Sequence, residues 1–222
     1  IDNSAPAEGE SAGTFKTQEA DLNWTGPVKF NTAKVTSTGG TLSLGDGSSL
    51  SASGIIDLSS GSLLALNGEF TKSGGDLTSS NATLKLTEDL TVSSDTPLSF
   101  KALNLNGNVL SFGQQTSSFT LSDELIINTP DGRIVQGLTS LQLNGGLRID
   151  SGGVLRLMNT FDTGSAKIKL NGGLLAIDMD TTLNSSIENL AASTIEIAET
   201  KNLIYEGATL NIGAYELSIV GG

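Results

Sequence analysis

The chain has 222 residues, with 24 acidic against 12 basic side chains, a net charge of −12 and a pI near 4.2. It contains neither cysteine nor histidine, which excludes disulfides, thiolate nucleophiles, the usual zinc sites and histidine-based catalytic triads. The acidity argues against nucleic acid as a partner, because phosphate binding needs clusters of Lys and Arg. No run approaches the roughly 18 apolar residues of a membrane-spanning helix, so we expect no membrane insertion.

Two short segments precede the regular part of the sequence. Residues 1–20 are polar and small, with Pro6 and several Gly and Ser, which predicts a flexible linker or arm. Residues 21–37 hold the only tryptophan, Trp24, and also Phe30. If the residues that follow stack as repeats, the first repeat exposes backbone edges and apolar side chains. We therefore interpret 21–37 as an N-terminal capping segment that uses these two aromatic side chains.

From residue 38 to residue 222 the sequence is a series of short alternating segments. The stretch SLQLNGGLRIDSGGVLRL at 140–157 shows the pattern, with apolar residues two apart in three groups. Such alternation predicts half-buried strands. Gly-Gly pairs separate the groups, and Gly adopts the positive φ of sharp corners without steric cost. The stretch therefore predicts three strands and two corners.

The alternation also repeats over a longer period. Leu-Asn-Gly recurs with its asparagine at positions 67, 106, 144 and 171, which are 39, 38 and 27 residues apart. A self-similar period near 20 residues, with one buried face per strand, is typical of a solenoid. The sequence thus predicts an all-β, single-stranded parallel β-helix (β-solenoid) over 38–222, with about nine coils of roughly 20 residues.

The regular pattern is interrupted in two places and stops abruptly at the end. The spacing of 27 leaves room for a loop insertion near 159–164, and a second insertion or irregular coil is expected over 178–192. Binding usually lies on loops held by a rigid scaffold, so 159–164 and 180–192 are the expected contact loops. The last residues, YELSIVGG, show no cap. We therefore expect a fragment of a larger protein and end-to-end self-association through the uncapped C-terminal coil.

Two other interpretations remain open from the sequence. Asn-Gly between alternating segments is also the strongest short hairpin signal, so an antiparallel β-sandwich is the main alternative. The short strands, the persistent repeat and the aromatic content of 5% favour the solenoid. A leucine-rich repeat fits the window 100–110, but the chain has no helical pattern for the convex side of that fold.

The coils resemble those of a known group of proteins. TLSLGDGSSLSASG, ALNLNGNVLSFG and IKLNGGLLAIDMD resemble the Gly-, Ser-, Thr- and Asn-rich coils of bacterial surface adhesins of the filamentous-haemagglutinin and autotransporter-passenger type. The resemblance covers 38–222 in pattern, composition and period. It implies an exported right-handed β-helix, secreted or on the bacterial cell surface, that acts as a stalk or adhesive rod. It implies no binding residues.

Acidic residues in two of the repeats are candidates for a metal site. Aligning LNGGLRID with LNGGLLAID brings Asp150 near Asp178, and Asp180 follows. Carboxylates one strand spacing apart repel unless they are protonated, neutralised or bridged, and Ca²⁺ prefers such oxygen ligands. Asp150, Asp178 and Asp180 are therefore the Ca²⁺ candidates, and no other cofactor is expected. We favour the alternative that Arg148, on the same strand as Asp150, neutralises them.

The patterns favour a mechanical and adhesive function. Catalysis on a β-helix needs convergent carboxylates and a basic residue in a groove, whereas any acidic solenoid has scattered outward charges. Ice binding needs a ladder of Thr from coil to coil, which the sequence lacks. We therefore predict a β-solenoid module that binds a glycan or a surface protein and has no catalytic or cofactor-binding residues. The alternative is a carbohydrate-active enzyme, either a polysaccharide lyase or a glycoside hydrolase.

Overall fold

The computed structural model describes residues 2–3, 13–59, 61–113, 116, 118–130, 132–135, 140–157, 161–207 and 209–221. Within these ranges the protein is all-β, without a helix, and its parallel strands stack as a β-solenoid of about nine turns of about 21 residues each. The predicted fold is therefore confirmed. The antiparallel β-sandwich is wrong, because the strands pair in parallel with the following turn rather than with their neighbours in sequence.

Each turn of the solenoid, here called a rung, contributes one strand to each of three faces. Face 1 consists of β2 (Thr14–Gln18), β5 (Lys34–Thr38), β8 (Ile55–Ser59), β10 (Asp76–Thr78), β12 (Leu98–Phe100), β15 (Ser118–Leu121), β18 (Ser140–Leu143), β21 (Phe161–Asp162), β24 (Thr181–Leu183) and β27 (Leu203–Tyr205). Its strands form three hydrogen-bonded groups, β2 to β10, β12 to β21, and β24 with β27.

Faces 2 and 3 share two long strands, β9 (Leu63–Lys72) and β11 (Thr83–Ser94), which run across the corner between them. Face 2 also holds β3 (Leu22–Trp24), β6 (Thr41–Leu44), β13 (Ala102–Asn104), β16 (Leu125–Ile127), β19 (Leu147–Asp150), β22 (Ile168–Asn171), β25 (Ile187–Ala191) and β28 (Leu210–Asn211). Face 3 also holds β1 (Asp2–Asn3), β4 (Lys29–Phe30), β7 (Ser48–Leu50), β14 (Val109–Phe112), β17 (Gly132–Val135), β20 (Val154–Leu157), β23 (Leu174–Ile177), β26 (Ser193–Ile197) and β29 (Leu217–Gly221).

The core consists of apolar side chains stacked from rung to rung. Because alternate residues of a strand point to opposite sides, the same inward position recurs in each rung. On face 2, for example, successive register partners are Leu22, Leu42, Leu64, Leu84 and Leu103. The buried apolar residues form one continuous cluster along the rod. With about 4.8 Å between paired strands, about nine turns give a rod roughly 43 Å long.

The spacing of 27 between Asn144 and Asn171 has a different cause from the predicted insertion. Asn144 lies at the corner between faces 1 and 2, whereas Asn171 ends β22 at the corner between faces 2 and 3. Asn171 is in register with Asp150, which lies six residues after Asn144 and 21 residues before Asn171. The 27 residues between Asn144 and Asn171 are therefore one face 2 strand with its corner, 6 residues, plus one full rung, 21 residues. Phe161–Asp162 continues the stack on β18, and residues 158–160 lie outside the described residues.

The second predicted interruption, an insertion or irregular coil over 178–192, is not an insertion, although the pairing of β25 with β22 contains a register shift after Asn189. Thr181–Leu183 and Ile187–Ala191 are strands of faces 1 and 2, paired with β27 and β22 respectively. Their polar sequence misled the prediction, because Thr181 and Asn189 occupy inward positions and are buried. The expected contact loops are thus mostly ladder strands.

Strand pairing begins earlier than the proposed domain boundaries. Thr14–Gln18, inside the segment assigned to the linker, pairs residue by residue with Lys34–Thr38. Within 21–37, Trp24 packs edge-on against Phe15 and Phe30, with ring centroids 5.8 and 5.9 Å away. The first described full rung is therefore a regular turn of the solenoid that carries three aromatic side chains.

Carboxylates and hydroxyls tie one rung to the next at the corners. Four aspartates each accept a hydrogen bond from a backbone N–H about one rung later, over 2.7 to 2.8 Å: Asp21 from Thr41, Asp46 from Glu69, Asp89 from Val109 and Asp180 from Asn202. Inside the rod, buried hydroxyls also link neighbouring rungs, as where Thr163 Oγ1 donates to Ser185 Oγ at 2.6 Å. Such bonds satisfy polar groups where the ladder is interrupted.

The last rung leaves apolar side chains uncovered. Leu210 and Ile219 are in register with the buried Ile187 and Ile195 of the preceding rung, yet they are 42% and 58% exposed. Asn189, in the preceding rung, stabilises the corner of the last rung. Its side-chain amide donates to the carbonyl groups of Tyr215 and Glu216 at 3.3 and 3.1 Å. The predicted end-to-end association through this rung stays a prediction.

Candidate functional site

The three metal candidates do not come together as the sequence alignment predicted. The alignment matched Asn144, at a corner between faces 1 and 2, with Asn171, at a corner between faces 2 and 3. The two aligned segments were therefore out of register by one strand. As a result Asp150 ends a strand of face 2, opposite Asn171. Asp178 and Asp180 follow a strand of face 3 instead. Within the described residues no group of three or more carboxylates is placed to hold a metal ion.

Asp150 belongs to a network of charged side chains on the outer surface of face 2. Arg148 Nε lies 3.1 Å from Asp150 Oδ1, and Asn171 Nδ2 donates to the same oxygen at 2.8 Å. Glu124, just before the face 2 strand of the preceding rung, lies between two cations, 3.3 Å from Arg148 and 2.7 Å from Lys169. Arg148 thus contacts Asp150, but not Asp178 as the favoured alternative also required. We call these five residues the charge network.

Asp178 and Asp180 have separate partners. Arg156, on face 3, places Nη1 3.2 Å from Asp178 Oδ1. Asp180 accepts hydrogen bonds from the backbone and side-chain nitrogens of Asn202 at 2.8 and 3.2 Å. Each carboxylate therefore already has a cation or an N–H donor. The arrangement stabilises neighbouring rungs and does not require a bound ion.

Replacing Glu124 with Gln tests the charge network. The substitution leaves Arg148 and Lys169 in register one strand spacing apart without their shared carboxylate. We expect the free energy of unfolding to fall by about 1 kcal/mol at low salt, since the pairs are partly exposed. The loss should shrink in about 1 M salt, where the screening length is about 3 Å. Urea unfolding at both salt concentrations measures this difference.

The matched control for this test is Glu88→Gln, because Glu88 is exposed and makes no ion pair among the described residues. We expect that variant to unfold like the original protein at both salt concentrations. A Glu124→Gln loss that persists unchanged at high salt would contradict an electrostatic role and indicate lost packing instead.

Face 1 carries a row of polar side chains that sequence reasoning did not single out. The row takes one outward position of successive strands, which in β15 lies between the buried Phe119 and Leu121. Register pairs within it include Ser99 with Thr120 and Thr120 with Gln142. We call it the polar row, and its members are Asp57, Thr78, Ser99, Thr120, Gln142, Asp162 and Thr182.

The polar row differs from the other faces in its chemistry. The ion pairs of the described residues lie on faces 2 and 3 or at corners, and none includes a member of the row. Hydroxyl and amide groups can both donate and accept hydrogen bonds, whereas the carboxylates of Asp57 and Asp162 only accept. Within each hydrogen-bonded group of strands, the row thus presents hydrogen-bonding groups at about 4.8 Å intervals. Within these groups register, rather than any local motif, brings the members together.

Outward carboxylates and arginines lie on all three faces of the solenoid. Asp57 lies on face 1, Arg148 and Asp150 on face 2, and Arg156 on face 3. An apolar cavity at the N-terminal end is lined mainly by Phe15, Trp24 and neighbouring apolar residues, and contains no carboxylate. Asp57, the Arg148–Asp150 pair and Arg156 thus lie on three different faces.

No protein-family model, curated protein or solved structure matches this sequence. In the described part of the protein, no helix is long and apolar enough to cross a membrane.

Proposed function

We propose that this protein is a structural and adhesive β-solenoid module of a secreted or cell-surface bacterial protein, part of a larger adhesin, that binds a glycan or a surface protein. The observation that supports this most directly is the polar row of face 1. Its side chains extend along successive rungs of a rod whose interior is continuously apolar. A rigid support with an extended row of hydrogen-bonding groups suits adhesion to a long, repetitive ligand.

The stiffness of the rod comes from its ladders and its core. Bending the rod would separate paired strands on one side and compress packed leucines on the other. Close-packed interiors resist such changes in volume. The polar row would therefore keep its spacing under load, and a ligand would meet the same geometry at each rung.

The row suits many weak contacts rather than one strong contact. Each hydroxyl or amide hydrogen bond contributes about 1 kcal/mol after exchange with water. Contacts spread over several rungs of one rigid body act together, because the first contact raises the effective concentration of the others. A polymeric glycan with hydroxyls along its length fits this chemistry.

A binding experiment tests this proposal. The protein is applied to a panel of glycans and polysaccharides, with Ca²⁺ and with a chelator, beside a variant with Ser99→Ala, Thr120→Val and Gln142→Leu. We expect the original protein to retain an intact glycan and the variant to bind it at least about tenfold more weakly, since three hydrogen bonds are lost. Binding should be the same with the chelator.

The matched control carries Ser49→Ala, Thr71→Val and Thr91→Val, which make similar changes at outward positions of face 3. Equal weakening by both triple variants would contradict a role for face 1. Shortened or unsaturated sugar products would overturn the adhesive function in favour of a carbohydrate-active enzyme. Loss of binding in chelator would instead show that a metal ion takes part.

A further inference from the structure

The four Asn-Gly dipeptides of the protein share a chemical weakness. The backbone nitrogen of the residue after an asparagine can attack the amide carbon of the asparagine side chain, and glycine offers least hindrance because it has no Cβ. Ring closure needs the peptide unit between the two residues to rotate. The surroundings of each dipeptide in the folded protein therefore decide which of the four reacts.

Asn106–Gly107 is the least constrained of the four. Both residues have positive φ, 52° and 78°, and Asn108 N donates to Leu105 O at 2.9 Å. These features define a type I′ turn at the corner between faces 2 and 3. Asn106 is exposed, and a Cβ placed on Gly107 would meet no atom within 4 Å. Asn108 Nδ2 donates to Asn106 O at 3.3 Å on the exposed surface, and beyond this bond the peptide unit has open space in which to rotate.

Two of the other dipeptides are held firmly by neighbouring rungs. Asn171 Nδ2 donates to Asp150 at 2.8 Å, and Gly172 N donates to Ser193 Oγ at 2.9 Å, so both reacting groups are occupied. Asn67–Gly68 lies inside the long strand β9, where a Cβ on Gly68 would collide with the carboxylate of Asp46.

Asn144–Gly145 is the closest competitor, since Asn144 is also exposed and lies in a turn. Its glycine is packed differently, however. A Cβ on Gly145 would overlap the carbonyl carbon of Asp123 and the backbone nitrogen of Glu124. The rung beneath therefore restricts rotation of this peptide unit.

We propose that Asn106 is a site of spontaneous deamidation in the folded protein. Gly107 N attacks Asn106 Cγ, a new C–N bond forms, the bond between Asn106 Cγ and Nδ2 breaks, and ammonia leaves with the displaced proton. The product is a five-membered succinimide. Water then opens the ring at either carbonyl, which yields aspartate or isoaspartate at position 106. No oxidant, metal or enzyme takes part.

The modification alters a corner of the rod without touching the core. Either product adds one negative charge to a protein whose net charge is already −12. Isoaspartate also lengthens the backbone by one methylene group inside a four-residue turn. The turn that joins β13 to β14 would lose its geometry, while the buried Leu105 and Leu110 remain in their columns.

Incubation of the folded protein in mildly alkaline buffer, followed by peptide mass spectrometry, tests this proposal. Labelling with an isoaspartyl methyltransferase identifies the isoaspartate product. We expect Asn106 to react about tenfold faster than Asn144 and about a hundredfold faster than Asn171, because each interaction that must break first raises the barrier. Equal rates at Asn106 and Asn144, or a faster Asn144, would overturn the proposal.

The same protein unfolded in urea supplies the reference. There the four dipeptides lose their surroundings, and we expect their rates to converge within a few-fold. If the native order of rates is retained in urea, local sequence rather than the fold selects the site, and the proposal fails. Formation of aspartate without any isoaspartate would indicate direct hydrolysis, which would also contradict ring closure by Gly107.

Discussion

Replacing Phe119 with Ala should lower the free energy of unfolding by about 3 to 5 kcal/mol. Phe119 is fully buried on face 1, with its ring centroid 5.7 Å from that of Phe100 and 5.1 Å from that of Phe112. The substitution leaves a cavity in the middle of the rod and removes two aromatic contacts, each of which contributes about 0.5 to 1.5 kcal/mol beyond area burial. Urea unfolding followed by circular dichroism measures the loss.

The neighbouring Thr120→Ala variant is the control, because Thr120 points outward on the same strand. We expect its free energy of unfolding to change by less than about 0.5 kcal/mol. A loss below about 1 kcal/mol for Phe119→Ala would show that the core at this level is loosely packed. Fluorescence of Trp24, the only tryptophan, reports separately on the first rungs.

Replacing Gly75 with Ala should destabilise the rod by about 3 kcal/mol, the sum of a left-handed backbone and overpacking. Gly75 has φ of +64°, and a Cβ there would lie 2.6 Å from the carbonyl oxygen of Gly54. This is the corner between faces 3 and 1, where consecutive rungs approach closely, and Gly75 N donates to Ala52 O at 2.8 Å. The backbone of the rung beneath has to shift to admit a methyl group.

Gly164→Ala separates the two causes. Gly164 has nearly the same φ, +57°, but a Cβ there would meet nothing within 4 Å. We expect a loss of about 1 to 2 kcal/mol, from the left-handed conformation alone. Equal losses in the two variants, measured by urea unfolding, would mean that the contact with Gly54 is relieved without cost and that backbone conformation explains both.

The fold could be predicted from the sequence because its determinants are local. Alternation with a period of two, glycine at the corners and a period near 20 are visible in any window of a few rungs. The corner to which a motif belongs is not visible in this way. Leu-Asn-Gly occurs before β19 at one corner and at the end of β22 at another, and nothing in the three letters distinguishes them. The predicted insertion near 159–164 and the predicted proximity of Asp150 to Asp178 both followed from this ambiguity.

The surface could be predicted only in part. The contact of Arg148 with Asp150 follows from their spacing on one strand, and the sequence suggested it. Glu124 was missed, because its contact with Lys169 spans 45 residues. The polar row was missed for a related reason, since its members are separated by whole rungs. Outward residues about 21 apart are the signal that would have found it.

Because each rung pairs with the next in the same way, the number of rungs, and with it the length of the rod, can change. Paired strands are separated by about one rung of sequence, as with Ala102 opposite Thr83 and Arg133 opposite Val109. A duplication of one such unit would add a layer whose upper and lower surfaces match those already present. Evolution can therefore tune the reach of the rod in steps of about 4.8 Å by recombination between coils, without inventing a new interface.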